Sequence, residues 1–250
     1  METIPSIKDA ARKLCEGIER GGHTGKILVT YDFDGTLLDT MGEHGDLAAD
    51  VMHEEFGTVQ NYAKVLYYST TGIPFPAQLE KIYPERAKIA RARCAKRYSA
   101  RKTDEVYRAA EPFFEVEEAL QAVSKMGHFQ TIASSTEAWL IKELTDRHGI
   151  TGYFETIWGC GEGSKSEHIA HMRKHFELAG VIFVGDSASD VKMNQKGADL
   201  AIGKAGSLEK GMLNPGQLVN NGADYASEDL RDVGKILNEL GALYAHTATG

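Results

Sequence analysis

ILVTYDFDGTLLDT, residues 27–40, opens apolar and β-branched, then sets two acids one residue apart and follows them at once with glycine and threonine. The apolar run has the length of a buried strand. Asp32 and Asp34 then fall just past its carboxyl end on one side, with Phe33 pointing to the other, because side chains alternate along an extended chain. Two carboxylates delivered to one place raise each other's pKa and repel, so they require a compensating cation or a shared proton. Gly35 permits a backbone turn at this point that other residues resist.

Outward from this stretch, short apolar runs alternate with longer helical patterns from residue 112 onward. That alternation predicts an α/β fold, a parallel sheet covered by helices on both faces. Strands are expected at 26–31, 129–134, 154–159, 181–186 and 198–203, with a weaker one at 223–227. Their continuous apolar character suits strands buried on both sides. Among the helices, 115–127 places Val116, Ala119, Leu120, Val123 and Met126 at a 3.6-residue period, and Gly127 can end it in a left-handed conformation. Near the start, Ile7, Ala11, Leu14 and Ile18 mark one face of an amphipathic helix with Ser6 as its N-cap.

Residues 41–111 break the alternation and read as helical: 46–57, 59–70, and a long helix from Pro84 to residue 111, with the turn-rich loop TTGIPFPAQ (70–78) before it. This predicts a helical lid, 41–111, inserted into a core made of 1–40 and 112–250.

Composition narrows the alternatives. The 250 residues suffice for one large domain or a core with a smaller insert. No apolar run approaches the ~20 residues of a membrane span. The first residues lack the basic start and apolar stretch of a signal peptide, so a cytoplasmic protein without a membrane partner is expected. Cys15, Cys94 and Cys160 are too scattered for a disulfide framework or a zinc knuckle. A formal net charge of -8 disfavours nucleic acid as a partner. Nothing in the pattern specifies an oligomeric state.

Ligands of an open parallel sheet bind beyond the carboxyl ends of its strands. Ser134 and Ser135 close the second expected strand, Asp186 and Asp190 follow the fourth in GDSASD (185–190), and Lys165 opens the helix after the third. Together with DFDGTLLD (32–39), these features resemble the haloacid dehalogenase-like superfamily of phosphotransferases. The helical insert directly after the first motif is similar to that superfamily's helical-cap subgroup, which holds phosphoglycolate phosphatases and β-phosphoglucomutases. The likeness covers the chain apart from its first 25 or so residues.

The resemblance implies a Rossmann-like core with an α-helical cap, and a Mg²⁺-dependent phosphohydrolase acting on a small phosphorylated metabolite. It implies Asp32 as a nucleophile that takes the phosphoryl group, a covalent route for a bond whose hydrolysis needs accelerations up to ~10²¹. Mg²⁺ would sit among Asp32, the main-chain carbonyl of Asp34, and Asp186, and would remove the like-charge penalty. Asp34 would protonate the leaving oxygen and then deprotonate the attacking water. Lys165 would supply positive charge, and Ser134, Ser135 and the turn at Gly35 would hold phosphoryl oxygens. Asp190 would orient Lys165 or a water of the ion. His44, ten residues after Asp34, occupies the place from which a histidine reaches back to the site in many helical-cap members.

One identity, the acid at position 34, excludes two neighbours within the superfamily. Its dehalogenases and phosphonate hydrolases lack the second acid of the first motif, which here is Asp34. Lys165 is followed by Ser166 where many phosphoglycolate-type members have proline. A phosphomutase, in which a sugar hydroxyl accepts the phosphoryl group, uses the same residues and is the alternative enzyme. A catalytically silent regulatory protein that senses a ligand in the cleft is the alternative from another class.

Other features read as structure. His168, His171 and His175 lack the glutamate of a zinc protease and are expected on an exposed helix face. Residues 86–102 hold eight Lys or Arg and no acid, a solvated face that can steer anions. Tyr62, Tyr67 and Tyr68 are expected in the cap core or at its junction with the core domain. Specificity is expected around STTGIPFPAQ (69–78) and the basic helix, with Lys64, Arg86 and Arg93 as candidates.

Overall fold

The structure, a computed structural model, describes residues 4–21 and 25–247. In chain order, α1 (Ile7–Gly21) leads to β1 (Lys26–Tyr31), followed by α2 (Met41–Phe56), α3 (Gln60–Tyr68), α4 (Phe75–Ile82) and α5 (Lys88–Lys102). The chain then alternates through α6 (Val116–Lys125), β2 (Phe129–Ala133), α7 (Ala138–Arg147), β3 (Thr156–Trp158), α8 (Lys165–His175), β4 (Leu178–Gly185), β5 (Leu200–Lys204), α9 (Pro215–Asn220), β6 (Tyr225–Ser227) and α10 (Arg231–Thr247). The six strands form one parallel sheet in the order 3-2-1-4-5-6, so the α/β reading holds.

Alternation along the central strands assigns side chains to two buried layers. Val29 and Tyr31 of β1, with Ile182 and Val184 of β4, join the layer that holds Leu14, Leu120 and Ile236 of α1, α6 and α10. Leu28, Val181 and Phe183 face the other layer, with Ile169 and Met172 of α8. Ser6 caps α1 as expected: its hydroxyl accepts from the Asp9 N–H at 3.3 Å while Asp9 accepts from the Ser6 N–H at 3.0 Å. No helix among the described residues is long and apolar enough to cross a membrane.

Between β1 and β2 the details differ from the sequence reading. Phe75–Gln78, expected as loop, begin α4, where Pro76 in the first turn forfeits no hydrogen bond. Residues 84–86 form a turn, and the basic helix starts at Lys88 rather than Pro84. It runs directly into a π-helical turn, Thr103–Tyr107.

A buried ion pair ties the sheet to the segment returning from these helices. Lys204 at the end of β5 lies 2.9 Å from Glu115, with side chains only 3% and 1% exposed. The ammonium also donates to the Glu228 carbonyl at 2.5 Å and sits over the Phe113 ring. Removing one partner strands the other charge, so Glu115→Ala is expected to cost about 3–5 kcal/mol in denaturant unfolding. The double variant Glu115→Leu, Lys204→Met is expected to recover most of that loss.

Candidate active site

In the order 3-2-1-4-5-6 the connections diverge on either side of the β1/β4 pair, leaving a crevice at the carboxyl ends of those two strands. Asp32 stands there. Its N–H continues the ladder by donating to the Val184 carbonyl at 2.8 Å, and its Oδ1 accepts from the Phe33 N–H at 2.8 Å. Gly35 follows with φ +72, and a Cβ at that position would lie 2.7 Å from Asp186 Oδ2. The absence of a side chain at Gly35 is what lets Asp186, beyond β4, close on the β1 turn. Asp190 is held in place by Ser187, whose hydroxyl donates to its Oδ2 at 2.6 Å.

Asp32, Asp186 and Asp190 are all buried and offer ligand atoms within 4.8 Å of one another. Lys165 reaches into this group, 2.9 Å from Asp32 and 2.6 Å from Asp190. Its place is set by the start of α8. Ser164 accepts from the Glu167 N–H while Glu167 accepts from the Ser164 N–H, a capping box that fixes Lys165 as the first helical residue. Burial alone would lower the Lys165 pKa, but Asp190 and Asp32 outweigh it and keep the ammonium charged.

The electrostatics leave a deficit. Three carboxylates against one ammonium carry two excess negative charges when ionised. Burial, with Asp190 adding to it and Lys165 opposing it, pushes Asp32 up to about 7. Burial and the same acidic neighbours raise Asp186 well above the carboxylate range. An all-oxygen donor set with this excess fits a hard divalent cation.

Asp34 stands apart and has the opposite surroundings. Thr40 and His44 contact its Oδ1 at 2.8 and 3.1 Å, while Thr136 and Tyr107 donate to its Oδ2 at 2.6 and 3.0 Å. Burial would raise this carboxyl, but His44 and the hydrogen bonds from His44, Thr136 and Thr40 outweigh it and hold it well below the usual range. His44 is itself buried, with Nδ1 2.5 Å from the Tyr98 hydroxyl. The two acids of one motif thus sit in opposite surroundings, Asp32 raised by burial among other acids and Asp34 lowered by the donors around it.

Residues 29–199 match the model of the haloacid dehalogenase-like hydrolase family. The chain belongs to that family. A phosphoglycolate phosphatase of Aquifex aeolicus (strain VF5) is 24% identical over 176 residues, which span 68% of this chain and 80% of the relative. A "predicted phosphatase" of Clostridium acetobutylicum superposes with a TM-score of 0.71 at 19% identity, over 86% of this chain and all of that one, a coverage of 100%. A protein described as a β-phosphoglucomutase of Bacteroides vulgatus also gives 0.71, at 15% identity, covering 95% of this chain and 98% of its own. These two likenesses establish a shared fold.

A cavity of about 190 Å³ opens over the acids of this haloacid dehalogenase-like hydrolase. Asp32, Asp34, Asp186, His44, Ser134 and Ser135 line it from the sheet side, and Tyr67, Ile73, Phe75, Gln78, Tyr98 and Lys102 from the insert. Ser134 is buried and accepts from the Thr136 N–H at 3.2 Å, whereas Ser135 is exposed at the cavity. Thr71–Pro74 and the first turn of α4 wall the cavity. Gly72, with φ +86, packs so closely on Ser187 and Ser189 that a Cβ there would collide with both hydroxyls.

The three cationic candidates lie elsewhere. Lys64 pairs with Asp46, Arg93 with Glu55, and Arg86 rests beside Glu85 and the Phe56 ring. Arg97 and Arg101 likewise pair with acids of α2, so the basic face is largely neutralised by its neighbour helix. Tyr67 lines the cavity and Tyr68 is half-buried, but Tyr62 is exposed. The histidine cluster divides: His171 and His175 stack on the helix surface, while His168 is fully buried against the sheet, 3.0 Å from the Thr131 hydroxyl. Burial, then His171, pushes the His168 pKa down to about 4.

Sequence reading missed Thr40, Tyr98, Lys102, Tyr107, Thr136 and Glu137. One signal was available for the second and third: Cys94, Tyr98 and Lys102 are the buried residues of α5, spaced i, i+4, i+8 through an otherwise charged helix. Tyr107 is five residues beyond Lys102 and returns to the same side because the turn between them is π-helical.

Proposed function

We propose that this hydrolase is a Mg²⁺-dependent phosphohydrolase that cleaves a small-molecule phosphate monoester through a phosphoryl group carried on Asp32. The supporting observation is the division of labour between the two acids of the first motif: Asp32 beside Lys165 and the other buried carboxylates, Asp34 among four donors. Asp32, Asp186 and the main-chain carbonyl of Asp34 would hold the Mg²⁺, which when bound draws charge from phosphoryl oxygens and offsets the repulsion among the acids. Asp190 fixes Lys165, whose ammonium faces the charge that develops on the phosphoryl group. Ser134 and Ser135 bond phosphoryl oxygens.

Asp34 carries the proton. Held ionised at rest, it takes a proton from solvent or from the substrate monoanion and passes it to the alcohol oxygen as the P–O bond breaks and the Asp32–P bond forms. The regenerated carboxylate then accepts a proton from the water that attacks phosphorus, which returns Asp32 and releases phosphate. Residues 41–111 act as a cap over the core of 1–40 and 112–250, and its closure limits water until the transfer is complete. The phosphatase named among the relatives supports phosphate-ester chemistry.

A Gly35→Ala variant would drive its Cβ against Asp186 at a strained φ. The Mg²⁺ concentration for half-maximal activity is expected to rise about 10- to 100-fold.

The test is phosphate release from a panel of sugar and polyol phosphates, with and without Mg²⁺, together with product analysis for isomerised sugar phosphate, which marks a mutase. Because raised carboxyl pKa values make a cation compete with protons, Mg²⁺ is also expected to raise Tm more at about pH 8 than at about pH 5.5. Absence of Mg²⁺-dependent release from every ester would overturn the proposal.

A further inference from the structure

We propose that the ion pair between Lys102 and Glu137 selects phosphate esters of neutral, hydroxylated alcohols and discriminates against those whose alcohol carries a carboxylate. This inference rests on the phosphohydrolase reading above. Lys102 comes from the insert and Glu137 from the loop after β2, three residues beyond Ser134, and the two meet at 2.6 Å. Both line the cavity that contains Asp34, and Lys102 is the sole lysine or arginine among the described residues lining it. Its ammonium lies over the Tyr107 ring, whose hydroxyl donates to Asp34, so the pair borders the side from which the alcohol leaves.

The charge of Lys102 is therefore already matched. A carboxylate entering this end meets the carboxylate of Glu137 and must displace it from Lys102, whereas a hydroxyl can donate to Glu137 and accept from Lys102 without disturbing the pair. Two further hydroxyls at the cavity, Ser99 and Ser135, make no hydrogen bond among the described residues and suit the same chemistry. Phe75, stacked on Tyr98 at 4.2 Å, offers an apolar surface to a carbon skeleton. Phosphoglycolate, the substrate in the name of one relative, has a carboxylate next to its phosphate ester and is expected to be a poor substrate here.

Matched substrates test this directly: glycerol 3-phosphate against 3-phosphoglycerate, and glucose 6-phosphate against 6-phosphogluconate, each pair differing in charge at the far end. With the full chain and Mg²⁺, kcat/KM is expected to favour the neutral member by about tenfold or more. Glu137→Gln frees Lys102 and is expected to shift that ratio about tenfold or more toward the carboxylated member, while Lys102→Gln shifts it the opposite way. Opposed shifts are the signature of a charge effect, since general disruption of the cavity would move both variants alike. Preference of the unaltered protein for the carboxylated member, or variants that leave the ratio fixed or move it in one direction, would overturn the inference while leaving the phosphohydrolase reading intact. Failure to hydrolyse any ester would instead overturn both.

Discussion

Asp32→Asn is expected to lower kcat by about 10⁴- to 10⁶-fold, the scale on which loss of a covalent nucleophile is felt. The amide is close to isosteric, its oxygen can still accept from the Phe33 N–H at the 2.8 Å position, and Lys165 retains Asp190 at 2.6 Å. Binding and fold should therefore survive. Removing one member of a buried acidic group in which burial has already pushed Asp32 up to about 7 relieves repulsion, so Tm is expected to hold or rise. Steady-state phosphate release and thermal unfolding on the same preparation separate the two effects. Activity within tenfold of the unaltered protein would show that the nucleophile lies elsewhere.

Asp34→Asn is expected to cost about 10²- to 10⁴-fold on alkyl phosphates, with the loss depending on the leaving group. An amide cannot shuttle a proton, yet the Thr40, Thr136 and Tyr107 hydroxyls can turn to meet its two ends, so the pocket should keep its shape. With p-nitrophenyl phosphate the departing phenolate needs no proton, and the first step should be largely spared. The second step lacks its base with every substrate. Rapid-quench experiments with the aryl ester should then show a burst of p-nitrophenol followed by slow turnover. An equal loss for alkyl and aryl esters, with no burst, would remove Asp34 from the proton-transfer role.

The fold was legible because its determinants are local. A buried parallel strand announces itself as a short apolar run, and the runs at β1, β2, β4 and β5 lie within three residues of their expected places. The insert was harder. Pro74 and Pro76 look like loop punctuation, but Pro76 falls in the first turn of α4, where proline is tolerated. Pro84 looks like a helix start, yet the helix waits until Lys88.

The same distinction runs through the candidate site. Asp32, Asp34, Lys165, Asp186 and Asp190 could be named from sequence because each falls at a strand end or a helix start, where topology alone converges them. Thr136 and Tyr107 could not, since their contact with Asp34 depends on how a loop after β2 meets a π-helical turn 29 residues away in the chain. The basic helix misled for a different reason: charge composition does not say which residues turn inward. Of its cations, Arg93 pairs with Glu55 on the surface, whereas Lys102, on the apolar stripe with Cys94 and Tyr98, enters the cavity.

Asp34→Asn also supplies the means to capture the covalent state, because its second step should be slow. Mixing that variant with p-nitrophenyl phosphate and Mg²⁺, quenching in acid and mapping peptides by mass spectrometry should reveal one phosphoryl group, labile to hydroxylamine, on the peptide containing Asp32. A phosphoryl group on any other residue, or turnover that persists in Asp32→Asn, would contradict the account.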